Sequence, residues 1–92
     1  MKIGLSIPPT IESPDHFYEW VRRVDAGPFS TLSVLDRVVY SNFEPLVTLA
    51  AAAALTTRVR LMTEVLISLV RNTTILAKES ATLDLLSRGR LT

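Results

Sequence analysis

Short strand-like segments alternate with helix-like segments along this chain, and this alternation restricts the possible folds more than any single motif does. Residues 2–7, 31–35 and 58–69 are rich in apolar and β-branched residues, and a segment with helical periodicity follows each of them. Strands that are separated by helices of this length pair in parallel through right-handed crossovers. The order of the elements therefore predicts an α/β fold with a parallel sheet.

The first helix has a start signal and a stop signal. Ser13 precedes Pro14 and Asp15, which gives an N-cap, a proline at the first helical position and an acid in the first turn. Apolar residues then follow at the spacing of one helical face: Phe17, Trp20, Val21 and Val24. Gly27 and Pro28 end the helix.

The second and third helices are predicted on the same grounds. Residues 44–45, Glu-Pro, open the second helix, and the alanine run 50–54 favours a helix and is slim enough for close packing. Asn72 or Thr73 caps the third helix, which ends at residues 87–89, Ser-Arg-Gly.

Residues 90–92 have the pattern of a fourth strand that has only begun. The element order is therefore βαβαβα followed by the start of a strand. An independent domain is expected to complete its sheet, so we expect residues 1–92 to form one partial domain, truncated at the start of strand 4.

The composition is that of a globular protein whose surface is partly covered. The chain is 48% hydrophobic and 21% charged. A domain of 92 residues keeps much of its surface exposed, so this apolar content indicates a face that packs against something else. We therefore expect a homo-oligomer.

Several classes of function have no support in the sequence. The net charge is +1, and no basic stripe with interleaved aromatics is present, so nucleic-acid binding is not expected. The chain has no cysteine and one histidine, His16, so neither a disulfide nor a metal site is expected. The longest apolar run, 46–55, is about half the length of a membrane span, and no signal peptide is recognisable, so the default location is cytoplasmic.

Five stretches between residues 32 and 91 carry a resemblance to a known family. They are 32–37 (LSVLDR), 44–46 (EPL), 57–66 (TRVRLMTEVL), 76–84 (LAKESATLD) and 86–91 (LSRGRL). Each is short, but together they have an order and spacing that resemble the luciferase-like flavin or deazaflavin (F420) monooxygenase superfamily.

The resemblance implies a (β/α)₈ TIM barrel, of which this chain is the N-terminal part: βαβαβα plus the start of strand 4. It also implies an oxidoreductase or monooxygenase that uses FMN or F420 to act on a small organic substrate, while the isolated chain is expected to be inactive. The similarity of residues 34–40 and of residues 44–45 to actinobacterial members favours F420 over FMN. No catalytic residue is assigned.

Asp36 is the first candidate for contact with the cofactor. It follows the second predicted strand, where the resemblance implies an acid beside the flavin or deazaflavin ring. The residues alone favour a solvated loop carboxylate or an ion-pair partner of Arg37, because aspartate is common in loops. Many F420-using members have histidine at the position of Arg37, and an arginine cannot exchange protons near neutral pH.

Thr63, Glu64 and Val65 match the place where the family supports the cofactor ring. The resemblance implies a non-prolyl cis peptide there, which falls on the Glu64–Val65 bond. The sequence alone favours an ordinary trans bond because non-prolyl cis bonds are rare.

A second function from a different class stays open. Three βα units expose sheet edges and apolar helix faces, so the chain could instead be a non-enzymatic, self-associating barrel fragment or assembly module.

Overall fold

The structure is a computed structural model that describes residues 2–11, 13–38 and 42–92. In these ranges the elements follow one another as β1 (Gly4–Ser6), α1 (Pro14–Ala26), β2 (Thr31–Leu35), α2 (Pro45–Leu55), β3 (Arg60–Glu64), a 3₁₀ turn (Ser68–Val70) and α3 (Thr73–Leu86). Within the same ranges, no helix combines the length and the apolar character that a membrane crossing requires.

The three strands form one parallel sheet in the order β1-β2-β3, which confirms the predicted fold class. Leu32 in the centre pairs with Leu5 on one side and with Leu61 on the other. Leu91 makes an isolated parallel bridge to Leu61 on the free side of β3, where a fourth strand was predicted to begin.

The two faces of the sheet differ in chemistry because neighbouring residues of a strand point to opposite sides. Leu32, Val34 and Leu61 are buried and belong to the core beneath the helices. Ser33 lies between two of these residues in β2 and faces the other side. The helices add most of the remaining core, which comprises Phe17, Val21, Val24, Leu46, Leu49, Ala52, Ala53 and Leu83.

Each helix begins at the cap that the sequence predicts. The Ser13 hydroxyl accepts a hydrogen bond from the His16 amide, and the Glu44 carboxylate accepts one from the Val47 amide at 2.8 Å. Asn72, rather than Thr73, caps α3 by accepting from the Ile75 amide at 3.1 Å. These acceptors satisfy amides that the first turn of a helix leaves unpaired.

The third strand is shorter than the predicted 58–69. Before β3, the amides of Thr57, Arg58 and Val59 donate to the carboxylate of Asp25 on α1 at 3.0–3.1 Å, so they take no part in the sheet. After β3, Val65 has φ 63°, which leaves the extended region and ends the strand.

Arg90 lies where the fourth strand was predicted to begin, and its side chain binds the end of α2. Its guanidinium donates to carbonyl oxygens of Ala53, Thr56 and Val59 at 3.0–3.1 Å and to the Thr56 hydroxyl at 2.7 Å. Carbonyls at the end of a helix have no partners within the helix. Arg90 therefore caps the C-terminus of α2 from a distant part of the chain.

Replacing Asp25 with alanine is expected to lower the free energy of unfolding by about 2 kcal/mol, because three amides lose their acceptor. Burial raises the pKa of Asp25, but the amides of Val59, Thr57 and Arg58 outweigh it and lower that pKa. The stabilisation is thus present above about pH 4 and is lost as the pH falls through the folded-state pKa.

Urea denaturation at neutral and at acid pH measures this effect. Glu19→Gln serves as the control, since Glu19 forms only an exposed pair with Arg23 and should change stability by less than about 0.5 kcal/mol. Equal midpoints for the Asp25→Ala variant and the wild type at pH 7 would contradict the assignment.

Candidate functional site

Parallel pairing brings the carboxyl ends of all three strands to one rim of the sheet. Asp36 follows the last residue of β2, and Glu64 is the last residue of β3, where it pairs with Leu35. The two carboxylates that the sequence singles out therefore emerge at the same rim. In parallel α/β folds, ligands bind at this end of the strands.

The side of the sheet away from the helices forms a concave surface, which encloses a volume of about 560 Å³. Most of the residues that line it are polar or charged: Lys2, Ser6, Ser30, Thr31, Ser33 and Glu64, together with Gly4 and Met62. The concave surface is thus chemically distinct from the apolar face beneath the helices.

Glu64 is a partly buried carboxylate that hydroxyl groups keep ionised. The Ser33 hydroxyl donates to Glu64 Oε1. Ser33 and Ser6 lower the pKa of the Glu64 carboxyl, and burial offsets only part of this effect. Among the described residues, Glu64 takes part in none of the ion pairs. It is an anionic hydrogen-bond acceptor that faces the concave surface.

Asp36 is deeply buried, with 2% of its surface exposed, and it is not a solvated loop carboxylate. Its Oδ2 accepts from the Ile67 amide at 2.6 Å and from Arg71 Nη1 at 2.8 Å, and its Oδ1 accepts from Arg71 Nη2 at 3.3 Å. Burial raises the pKa of Asp36, but the hydrogen bonds from Arg71 and Ile67 outweigh it and the pKa is lowered.

Arg71 is a neighbour of Asp36 that the sequence did not predict. Arg37 was an expected ion-pair partner of Asp36, but among the described residues its guanidinium donates to the Asp36 carbonyl oxygen, at 3.3 Å, and not to the carboxylate. Arg71 instead binds Asp36, the Glu44 carboxylate at 3.0 Å and the Ile67 carbonyl at 2.6 Å. Nothing in the local pattern marks Arg71, because its partners lie up to 35 residues away along the chain.

The Glu64–Val65 peptide bond is trans, as the residues alone favour and unlike the cis bond that the resemblance implies. The backbone is irregular here in another way, because Val65 has φ 63°, a region that β-branched residues rarely adopt. Thr63 alternates with Glu64 along the strand and so points to the helix side of the sheet.

Apolar side chains are exposed on the connection from β3 to α3. Val65, Leu69 and Val70, here called the rim ledge, are 66%, 97% and 63% exposed. A cluster of exposed apolar side chains beside a polar concavity is typical of a surface that a ligand or another chain segment covers.

Ser33→Ala is expected to raise the pKa of Glu64 toward the ordinary value of about 4.3, since the largest favourable contact of the charged form is removed. Carboxyl ¹³C chemical shifts followed from pH 2 to pH 7 give this pKa directly. Ser30→Ala is the matched control, because Ser30 lines the same concavity but donates to the Ile3 carbonyl. A titration curve of Glu64 that is unchanged by Ser33→Ala would refute the contact.

The sequence comparisons point to one family. A family model described as luciferase-like monooxygenase matches residues 1–92. Uncharacterized proteins of Mycobacterium tuberculosis and Mycobacterium bovis are each 39% identical over 83 residues, which is 89% of this chain and 29% of theirs. This chain therefore spans less than a third of the length of these curated relatives.

Three larger enzymes of known structure resemble this chain. The coenzyme F420 dependent tetrahydromethanopterin reductase of Methanopyrus kandleri has TM-score 0.82 and 24% identity, covering 98% of this chain and 25% of that one. A monooxygenase from Streptomyces bottropensis has TM-score 0.78 and 30% identity, with 99% and 31% covered. The oxygenating constituent of 3,6-diketocamphane monooxygenase from Pseudomonas putida, in complex with FMN, has TM-score 0.85 and 18% identity, with 99% and 28% covered.

The structural likenesses show that the three βα units share the fold of part of these larger chains, as the N-terminal part of a TIM barrel would. The family model covers all of the sequence. The chain belongs to the luciferase-like monooxygenase family.

Proposed function

We propose that this chain forms the part of an FMN- or F420-dependent oxidoreductase that holds the aromatic ring of the cofactor. The observation that carries the proposal is the ionised Glu64 beside the apolar rim ledge, at the carboxyl end of three parallel strands. Family membership and the named cofactors of two structural relatives support the same class of enzyme.

The residues at the rim fit such a ring. Flavin and deazaflavin rings are flat, with apolar faces and a polar edge that carries an N–H donor. The rim ledge offers apolar surface, and Glu64 offers a charged acceptor within the same short segment. An acceptor that already binds the Ser33 hydroxyl is oriented before the ligand arrives, which reduces the cost of ordering it on binding.

When bound, the cofactor supplies hydride transfer or oxygen activation toward a small organic substrate. The residues of this chain bind and orient the ring and exclude water from one of its faces. Because its pKa is lowered, Glu64 is ionised near neutral pH and serves as an acceptor rather than as an acid. Arg37 is permanently charged and transfers no proton.

Both FMN and F420 are candidates for the cofactor. One structural relative is named for F420 and another was solved with FMN. The sequence stretch 34–40 leans toward F420, and residues 39 and 40 of that stretch lie outside the described residues.

Titration of FMN and F420 into the full-length gene product is expected to quench or shift the absorbance of at least one of them. Glu64→Gln is expected to weaken binding about tenfold, because one charged hydrogen bond is lost. Glu79→Gln, an exposed change on α3, should leave the dissociation constant unaltered. Absence of any response with both cofactors would exclude the proposal and favour the non-enzymatic assembly module.

We propose further that the protein is a homo-oligomer that self-associates through the outer face of α2 and α3. Helix α2 is apolar on all sides, which is typical of a buried helix, yet its Val47 is 69% exposed. A shallow apolar groove of about 260 Å³ runs between α2 and α3 and includes Leu86, Lys78 and Glu79. Lys78 and Glu79 are adjacent and oppositely charged, so in a two-fold contact Lys78 of one copy can pair with Glu79 of the other.

Val47→Glu is expected to shift the protein from dimer to monomer, because it places a charge at the centre of this apolar face. Sedimentation velocity of the variant and the wild type at equal concentration measures the shift. Arg22→Glu alters an exposed position on α1 and is the control. A wild type that sediments as a monomer at all concentrations would refute self-association.

A further inference from the structure

The contacts of Asp36 leave little of its carboxylate available to a ligand. Only 2% of the residue is exposed, although it stands at the rim. Both of its oxygens are engaged, one by the Ile67 amide and Arg71, and the other by Arg71 alone. A buried carboxylate is stable only when such partners compensate its charge.

Arg71 connects three segments of the rim. Its guanidinium binds Asp36 at the end of β2, Glu44 at the start of α2, and the Ile67 carbonyl within its own connection. The side chain is 15% exposed. A planar guanidinium can hold several acceptors in fixed directions, which an ammonium group cannot do.

These contacts fix the connection that carries the rim ledge. Ile67 is held at both its amide and its carbonyl, immediately before the 3₁₀ turn. Two residues earlier, Val65 has the unfavourable φ of 63°. Such a conformation persists only where surrounding contacts determine it, and the pair Asp36–Arg71 supplies these contacts.

We infer that Asp36 and Arg71 are positioning residues, which act on the cofactor ring through the β3–α3 connection without touching it. This inference rests on the proposed function, because it assumes that the ring lies on the rim ledge. Asp36 then supports the ring indirectly instead of contacting it. Arg71, which no sequence pattern singles out, shares this role.

The test uses Asp36→Asn, Arg71→Lys and the double variant in the full-length gene product. Glu19→Gln is the control, because it removes a carboxylate that is 57% exposed and pairs with Arg23 on α1, outside the contacts of Asp36 and Arg71. Three readouts are taken: hydrogen exchange of the Ile67 amide without cofactor, the dissociation constants of FMN and F420, and the visible spectrum of the bound cofactor.

Each single variant is expected to speed exchange at Ile67 and to weaken cofactor binding about tenfold, with a shifted visible spectrum. The double variant should bind no more weakly than either single variant, since both act through one pair. Leu69→Ala, at a side chain that is 97% exposed, should weaken binding without altering exchange at Ile67. Glu19→Gln should change each value less than about twofold.

Unchanged exchange at Ile67 in both single variants would overturn the inference whether or not a cofactor binds. Faster exchange with unaltered affinity and spectrum would reduce the pair to a structural role and also overturn it. If Asp36→Asn weakens binding while Arg71→Lys does not, Asp36 contacts the ring directly and the inference is wrong. A wild type that binds neither cofactor defeats the proposed function. Hydrogen exchange of the Ile67 amide then still tests whether Asp36 and Arg71 fix the β3–α3 connection.

Discussion

The parallel pairing of β2 with both of its neighbours is the constraint on which the rest of this structure depends. It sends Leu32 and Val34 into the core and leaves Ser33 on the opposite face beside Glu64. A shift of one residue in this pairing would exchange the two faces, placing hydroxyls beneath the helices and leucines in the concavity. The division between an apolar face beneath the helices and a polar concave face therefore follows from the register alone.

The rim holds two carboxylates that are kept ionised by different means. Asp36 is buried, and a guanidinium and a backbone amide compensate its charge. Glu64 is partly exposed. Neutral hydroxyl groups lower the pKa of its carboxyl and leave its negative charge uncompensated. An arginine-paired carboxylate presents little net field to its surroundings, whereas a hydroxyl-held carboxylate still attracts donors. The same functional group is thus a compensated structural anion at one position and an uncompensated acceptor at the other.

Local chemistry made the elements predictable, and contacts between distant residues set the limits of that prediction. The caps at Ser13, Glu44 and Asn72 each depend on residues three apart, so the sequence identifies them directly. The parallel order follows from the alternation of strands and helices.

The end of β3 and the roles of two arginines could not be read from local patterns. Residues 65–69 are apolar and β-rich, as in a strand, but the chain turns because Asp36 binds the Ile67 amide from 31 residues away. Arg71 and Arg90 look like surface cations in sequence, and their acceptors become neighbours only when the chain folds. The resemblance to the family implied a site role for Asp36, and the place of Asp36 after a strand gave no information about its partner.

Arg90 constrains the length of helix α2 through its contacts with the end of that helix. Its guanidinium is fitted to the carbonyls of Ala53 and Thr56, and the backbone around it pairs with Leu61. One residue inserted into α2 would rotate the end of the helix by about 100° and carry those carbonyls away from the guanidinium. The number of residues in α2 is therefore constrained by Arg90, which lies more than thirty positions later in the chain.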